Sequence, residues 1–406
     1  MAYTSTTTLP NSVVTKYMQE YYLVSAQNPG MWGQFIQWQD PITAGSGGSA
    51  FDFPVFGEID PATEPLTETS DVTPVAMSDQ NVTVTPREYG NVVAKTKLAE
   101  LQARVNLARV IGEVVARNRI DSIDRILRKS IGYGSTMPTN TIYTSGVTMG
   151  GLSGATAAHR VSWAWLNELY MHARSIGMTP LDGENYVAII HPLLEYDLKS
   201  LDEFKYVGYY QVRDNIYRGE VGMLANIRFV VSNMGRAHLG SGALVASGAN
   251  TTLGAAASKG ATSITVASAT GISVGDYLTI GTYETESVNP AANLEQVLVT
   301  GVSGTTISIR GNGAGNSFGL RFDHANGEAV RESYNVASIP LIGKESLIGV
   351  YASESGQYGK AVVKEGLDYL NRFAYFGWWW YGGVGVVQKN IIVGRCAVAK
   401  WAIGYN

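Results

Sequence analysis

Thr83-Val84-Thr85-Pro86-Arg87-Glu88-Tyr89-Gly90-Asn91-Val92-Val93-Ala94-Lys95-Thr96-Lys97-Leu98-Ala99-Glu100-Leu101 is the stretch on which the fold turns. Here an extended Gly/Thr/Pro-rich segment, Gly45 to Lys97, runs into a helical pattern, Leu98 to Ile131, with no breaker between them. The extended part carries Glu58, Asp60, Glu64, Glu68 and Asp71, and no lysine or arginine lies between Gly45 and Pro86. Its turn-rich stretches flank two β-like runs, Phe51-Asp52-Phe53-Pro54-Val55 and Val82-Thr83-Val84-Thr85. The pattern predicts a two-stranded arm reaching away from its own core. An isolated hairpin is marginal in water, so the arm is expected to lie on a neighbouring subunit. This junction points to assembly rather than catalysis.

The helical side has its own signature. Leu98, Leu101, Val105, Ala108, Ile111 and Val115 recur at three and four, and Ile120, Ile123, Leu127 and Ile131 continue the stripe. Arg104, Arg109, Arg117, Arg119, Arg125, Arg128 and Lys129 occupy the other faces, which predicts a solvated or subunit-bridging surface. A single helix of this length spans roughly 50 Å at 1.5 Å per residue. Gly132-Tyr133-Gly134 ends it.

The chain has 406 residues, enough for one large or two to three ordinary domains. Its formal net charge is −4, so there is no global basic field to hold nucleic acid, and such contacts are expected to be local. The single cysteine, Cys396, excludes an intrachain disulfide and reads as a small buried hydrophobe. Met1 to Thr7 lacks the basic and apolar regions of a signal peptide. Phe376 to Val387 contains four glycines and is too short for a membrane helix; it is expected to form a buried strand pair or turn, with no membrane partner.

Along the chain, residues 1–45 read as an aromatic arm, with a helix at Ser12 to Ser25 and an apolar segment at Met31 to Trp38. Residues 46–97 form the extended loop. Residues 98–179 hold the long helix and the start of the domains beyond it, including a second helix at Ser162 to Gly177. A compact α/β unit occupies 180–243, with the strand Tyr186 to Ile190, a helix opened by His191-Pro192, and a strand around Ile227. From Ala243 the composition shifts to Gly/Ala/Ser/Thr. Ser263 to Val266, Tyr277 to Ile280, Gln296 to Val299 and Thr306 to Ile309 then predict a small all-β domain at 244–330. The α/β pattern resumes at 331–360, which marks that domain as an insertion, and 361–406 is β-rich.

Catalytic motifs fail on context. Gly271-Ile272-Ser273-Val274-Gly275 matches a nucleophile elbow, yet another β-run comes after it where a helix is required. Gly343-Lys344-Glu345 lacks the upstream glycine and the Ser/Thr of a P-loop. Gly311 to Asn316 misses the third glycine of a dinucleotide loop. No two of the five histidines are spaced four apart, so no zinc motif appears. No enzyme activity, cofactor or metal is expected.

The order of elements, with Asn185-Tyr186-Val187-Ala188-Ile189-Ile190-His191-Pro192, Asp197-Leu198, the run Gly219 to Val231 and the aromatic run Tyr369 to Tyr381, resembles the major capsid proteins of tailed bacteriophages. These have the α+β Hong Kong 97-type fold, and the resemblance is to the N-four-like phage family in particular. It implies an N-arm (1–45), an E-loop (46–97) draped over a neighbour, a spine helix (98–131), an axial domain (180–243 and 331–360) and a peripheral domain completed by the C-terminal strands. It also implies hexameric and pentameric capsomers, packaged double-stranded DNA bound without sequence preference, a portal, a decoration or scaffold protein, and a place in the virion shell. The expected inter-subunit residues are Tyr17, Tyr21, Trp32 and Trp38 of the arm, Phe51, Phe53, Phe56, Glu58, Glu64 and Glu68 of the loop, and Arg87, Arg104, Arg117 and Arg125. Some relatives weld their shells with a Lys–Asn bond from the E-loop. Here the loop has no lysine before Lys95, at its base, so no such crosslink is expected. No long prosegment is expected to be removed. The rival readings are an encapsulin-like compartment shell and, less fitting, a β-rich carbohydrate-binding or adhesive protein.

Overall fold

The computed structural model describes residues 3–4, 30–43, 49–57, 59, 61–63, 65, 68, 74–77, 79–103, 106–131, 141–143, 155–181, 183–202, 220–283, 292–313, 318–365, 372–398 and 404–405. The first strands are β1 (Tyr3–Thr4), β2 (Gln37–Trp38), β3 (Phe51–Phe56), β4 (Asp79–Val84) and β5 (Arg87–Thr96). Helices α1 (Lys97–Gln102) and α2 (Leu107–Lys129) come next, then β6 (Thr141–Tyr143), α3 (Trp163–Ser175), β7 (Tyr186–Ile190) and α4 (Pro192–Ser200). The chain continues through β8 (Glu220–Leu224), β9 (Ile227–Val231), β10 (Ala237–His238), β11 (Asn250–Thr252), β12 (Ser263–Thr265) and β13 (Tyr277–Ile280). After these stand β14 (Glu295–Ser303), β15 (Thr306–Arg310), β16 (Ala329–Arg331) and β17 (Val336–Ile342). The last strands are β18 (Leu347–Tyr351), β19 (Lys360–Glu365), β20 (Phe373–Val386), β21 (Ile391–Ala397) and β22 (Gly404–Tyr405). The result is mixed α+β.

The chain forms two compact units: residues 1–130 with 347–387, and residues 131–346 with 388–406. In the first, β5 pairs antiparallel with β20 from Arg87↔Gly382 to Thr96↔Phe373. β19 and β18 also pair with β20, and β1 and β2 add short parallel edges. One face of this sheet carries α2. The Trp378 indole donates to Asn118 Oδ1 at 2.9 Å, and Trp380 stacks on Tyr89.

The predicted single helix is two. Thr96 Oγ1 accepts from Ala99 N and caps α1; Ala103 is then extended (φ −84°, ψ 151°), and Asn106 Oδ1 accepts from Arg109 N to start α2. Asn106 is a strong N-cap that interrupts without a Gly or Pro. α2 has 23 residues, which at 1.5 Å each gives a rod of roughly 35 Å. The stripe holds on α2, where Ala108, Ile111, Val115, Ile123 and Leu127 are buried. It fails on α1, where Leu98 and Leu101 are exposed. Arg119, expected on the open face, is 1% exposed and donates to Gly359 O at 2.8 Å.

In the second unit a seven-stranded sheet runs β6-β21-β17-β7-β9-β8, with β10 on β17. β7 and β9 are parallel, so the chain between them, which passes through α4 and the antiparallel strand β8, is a crossover and not a tight hairpin. The β8–β9 hairpin turns on Ala225 and Asn226, both at positive φ, the conformation that tight two-residue hairpin loops demand. Ser162 caps α3, whose Trp165, Leu166 and Leu169 enter a core with Tyr186, Ile190, Phe229 and Leu341. The expectation for 361–406 divides here. β20 completes the first unit's sheet, whereas β21 pairs with β17 in the second. Likewise, of the predicted return segment 331–360, residues 347–360 belong to the first unit.

A third sheet, β11-β16-β13-β14-β15-β12, has β22 on β14. It encloses its own core of Leu253, Ile264, Leu278, Ile280, Val297, Ile307 and Val330 among others. The chain enters and leaves it side by side: Gly242 N donates to Tyr334 O at 2.8 Å, and Tyr334 N to Ala243 O at 3.0 Å.

Candidate assembly surfaces

β3 and β4 make a separate two-stranded sheet, registered from Phe51↔Val84 at one end to Phe56↔Asp79 at the other. Its base is anchored. Val84 is buried, and a Cβ on Gly385 would lie 2.7 Å from both Val82 Cγ1 and Val84 Cγ2, so the bare glycine admits β4 against β20. The far end has no such cover: Phe56 is 63% exposed, and Ile59, Val75 and Met77 are exposed as well. Clustered apolar side chains left open in this way mark an interaction surface.

The expected contact residues fall into three groups. Phe56 is open, Phe51 and Phe53 are half-buried along β3, and Glu68, Arg87 and Arg117 are exposed. Trp32 is a correction. At 1% exposure it is packed inside its own unit and has no surface to give a neighbour. Trp38 is half-buried, edge-on to Tyr351 with centroids 5.6 Å apart, and its indole donates to Gly33 O. Arg125 is half-buried and, with Arg117, flanks Asp121. Burial raises the Asp121 carboxyl above its ordinary value despite these two cations. Tyr17, Tyr21, Glu58, Glu64 and Arg104 lie outside the described residues, as does the predicted helix at Ser12 to Ser25.

The second surface is the face of the first sheet turned away from α2. Alternation along β20 puts Phe376, Trp378 and Trp380 toward the helix and Tyr375, Gly377 and Trp379 on the other side. Gly377 sits between Val92 of β5 and Val362 of β19. With Tyr375 and Trp379 before and after it, a cleft of about 340 Å³ opens over the glycine. Val92 is exposed at its edge, Lys364 lines it, and Lys360 is paired with Trp379 beside it.

Lys95, at the base of the extended segment, is turned inward. Its Nζ lies 2.7 Å from Glu100 Oε1, both are buried, and the ammonium sits over the Phe376 ring. It offers no nucleophile to a neighbour. The Gly271–Gly275 motif is a turn leading into β13, with Ser273 N donating to Asp276 Oδ2. Among the described residues no cluster of metal-ligating side chains occurs, and no helix is long and apolar enough to cross a membrane.

Two charged sites escaped the sequence. Asp124, on α2, accepts from Met31 N (2.8 Å) and Trp32 N (3.3 Å), fastening the 3-10 turn Trp32–Phe35 to the helix. Burial pushes its pKa up to about 6, although those two hydrogen bonds pull the other way. In the third sheet, His324 is enclosed between Glu295 (Nε2 to Oε1, 2.9 Å) and Glu328 (Nδ1 to Oε2, 2.7 Å). Burial alone would lower its pKa, but the two carboxylates outweigh it and raise it. Glu295 also accepts from Arg321 N and Phe322 N. The only sequence trace of this trio is the four-residue step from His324 to Glu328.

No family model matches the chain, and no curated protein matches it by sequence. Solved structures do. The capsid of Ralstonia phage GP4 is similar at 11% identity, over 91% of this chain and 89% of that one, with a TM-score of 0.53. A chain of the cyanophage Pam1 capsid asymmetric unit is similar at 13% identity over 88% and 87%, with a TM-score of 0.47. The capsid structure of Helicobacter pylori bacteriophage KHP30 is similar at 12% over 89% and 88%, with a TM-score of 0.48. At such identities the likeness concerns fold alone, and the GP4 match carries it. Spanning about nine-tenths of both chains, that match gives this protein a phage-capsid-type fold.

Proposed function

We propose that this chain is the major capsid protein of a tailed bacteriophage, building hexamers and pentamers of an icosahedral shell around double-stranded DNA. The observation that carries the reading is the GP4 likeness over nearly the whole of both chains. The uncovered far end of the β3–β4 hairpin supports it, because a subunit that works alone has little use for such an arm. In this reading residues 1–45 are the N-arm and 46–97 the E-loop, reaching a neighbour through Phe51, Phe53, Phe56, Glu58, Glu64 and Glu68. α2 is the spine, the sheet of β5 and β20 the peripheral domain, and the sheet of β7, β9, β17 and β21 the axial domain. The third sheet is an insertion, which the adjacent entry and exit at Gly242 and Tyr334 favour. Portal, scaffold and decoration proteins are its partners, and DNA contacts are local, salt-sensitive and blind to sequence. The role is structural, within the virion, and shell strength comes from summed non-covalent contacts.

Electron microscopy of particles formed by the full chain, with nucleic acid assayed in the same fractions, tests this. Closed icosahedral shells around DNA are expected. Shells loaded with protein and no genome would replace it with a compartment shell, and a discrete small oligomer would refute a shell altogether.

A further inference from the structure

We propose that the cleft over Gly377 receives Phe56 of a second copy of this chain; the contact rests on the shell reading above. The receptor is an open cleft of about 340 Å³, ample for one aromatic ring. A glycine forms its floor, Val92 and Val362 stand on the flanking strands, and Tyr375 and Trp379 close its ends. The occupant is a phenyl ring at the open end of β3, 63% exposed, with an exposed carboxylate, Asp79, directly across the strand pair.

Charge selects between the two copies' surfaces. The hairpin and its connecting segment carry no lysine or arginine from Gly45 to Pro86 but seven acidic residues: Asp52, Glu58, Asp60, Glu64, Glu68, Asp71 and Asp79. The cleft is rimmed on its β19 side by Lys360 and Lys364, both exposed; Glu88, beside Tyr381, is an acidic group on the same face. An acidic arm carrying an exposed aromatic ring therefore meets an apolar notch with a cationic rim, the pairing that steers and registers an interface.

The same chain does not fill its own notch. Val82 and Val84 are seated at Gly385, eight residues along β20 from Gly377, or ~27 Å at ~3.4 Å per residue. From that seat, β4 extends only five residues to Asp79, or ~17 Å. Phe56 falls short even if the hairpin were folded back. A single desolvated aromatic anchor in a pocket is the usual energetic centre of an interface.

The test is a disulfide trap in assembled particles. The full chain carrying Phe56→Cys and Val362→Cys is assembled, oxidised and run on a non-reducing denaturing gel; the native Cys396 is buried and does not compete. A ladder of linked subunits, absent from each single-cysteine chain, is expected. Shells that give monomer bands alone, or a link within one subunit, overturn the contact and leave the cleft to a decoration protein or to solvent. If the double-cysteine chain does not assemble, charge reversal decides. Asp79→Lys and Lys364→Glu should each raise the concentration needed for assembly by about 10-fold, and together restore it. Failure of the pair to restore assembly overturns the contact. A wild-type chain that forms no shells refutes the shell reading itself; shells without a ladder refute only this inference.

Discussion

The β3–β4 hairpin and the third sheet start from similar material: short β-runs, turn residues between them and no helix. They end differently. The third sheet closes around its own core, where Leu278, Ile280, Val297 and Ile307 have no exposed surface. The hairpin encloses nothing, and its far end leaves Phe56 in solvent. The difference is one of numbers and facing. Seven paired strands can turn alternate apolar residues toward each other, whereas two strands have one pair of faces and nothing opposite. A segment that cannot complete its own core either frays or borrows one, and that is why the hairpin, unlike the third sheet, needs a partner to cover its faces.

Core truncation tests the contrast most strongly. Leu278→Ala should cost about 2–5 kcal/mol in unfolding of the unassembled subunit, the usual range for a fully buried leucine. Phe56→Ala should stay within about 0.5 kcal/mol in the same measurement. Comparable losses would show that the hairpin has a core of its own.

The Met31–Phe35 segment is an intermediate case, held to α2 through Asp124. Its folded pKa of about 6 lies above the ordinary 3.8, so folding favours the protonated acid. Stability from this group is therefore complete below about pH 4, falls as pH rises toward 6 and levels off above it. The span corresponds to at most ~3 kcal/mol. Amide protection across Trp32–Phe35, taken relative to the intrinsic exchange rate at each pH, should be higher at pH 5 than at pH 7.5, and Asp124→Asn should flatten that dependence. An unchanged profile in the variant would remove Asp124 from the account.

His324 sharpens the contrast from the other side, because it lies inside the closed sheet. Its folded pKa is raised, so its contribution is fully present below about pH 6.5 and lost as pH climbs through the folded value. Amide protection of β14 should decline on the alkaline side. His324→Gln should lower protection by about 1–3 kcal/mol at pH 6 and abolish the alkaline decline. Glu328, with its pKa lowered by Ala325 N and His324 against the effect of burial, gives the opposite limb, losing its contribution as pH falls. The smallest effect belongs to the helix break. Asn106→Ala should cost about 1 kcal/mol, the worth of one N-cap, measured by denaturant unfolding.

Much of the architecture is legible in the chain because it is written in periodicity. The strand Tyr186–Ile190, the helix opened by His191-Pro192 and the strands of the 244–330 segment stand where the patterns put them. The buried stripe of α2 likewise comes from its three-and-four spacing. What misleads is the local signal that has two readings. Asn106 reads as an ordinary helix residue and is a cap. Arg119 reads as solvated and is buried against Gly359 O. Trp32 reads as an interface aromatic and is core. In each case the residue type permits both environments, and only its neighbours choose.

The candidate surfaces divide in the same way. The acidic, cation-free stretch from Gly45 to Pro86 is a property of composition, and it singles out the arm before any fold is known. The notch that this arm fits is invisible in sequence. Val92 is far along the chain from Val362 and Gly377, and only strand register aligns the three in one row. The Glu295–His324–Glu328 trio depends equally on β14 and the 320–328 loop meeting. Local order, turn chemistry and charge are set by neighbours along the chain, so the elements and the acidic character of the arm can be read from residue order alone. Register between distant strands and the burial of single polar groups depend on contacts that form together at folding, so where β21 pairs, which face of β20 is open and which charges are enclosed emerge only in the folded chain.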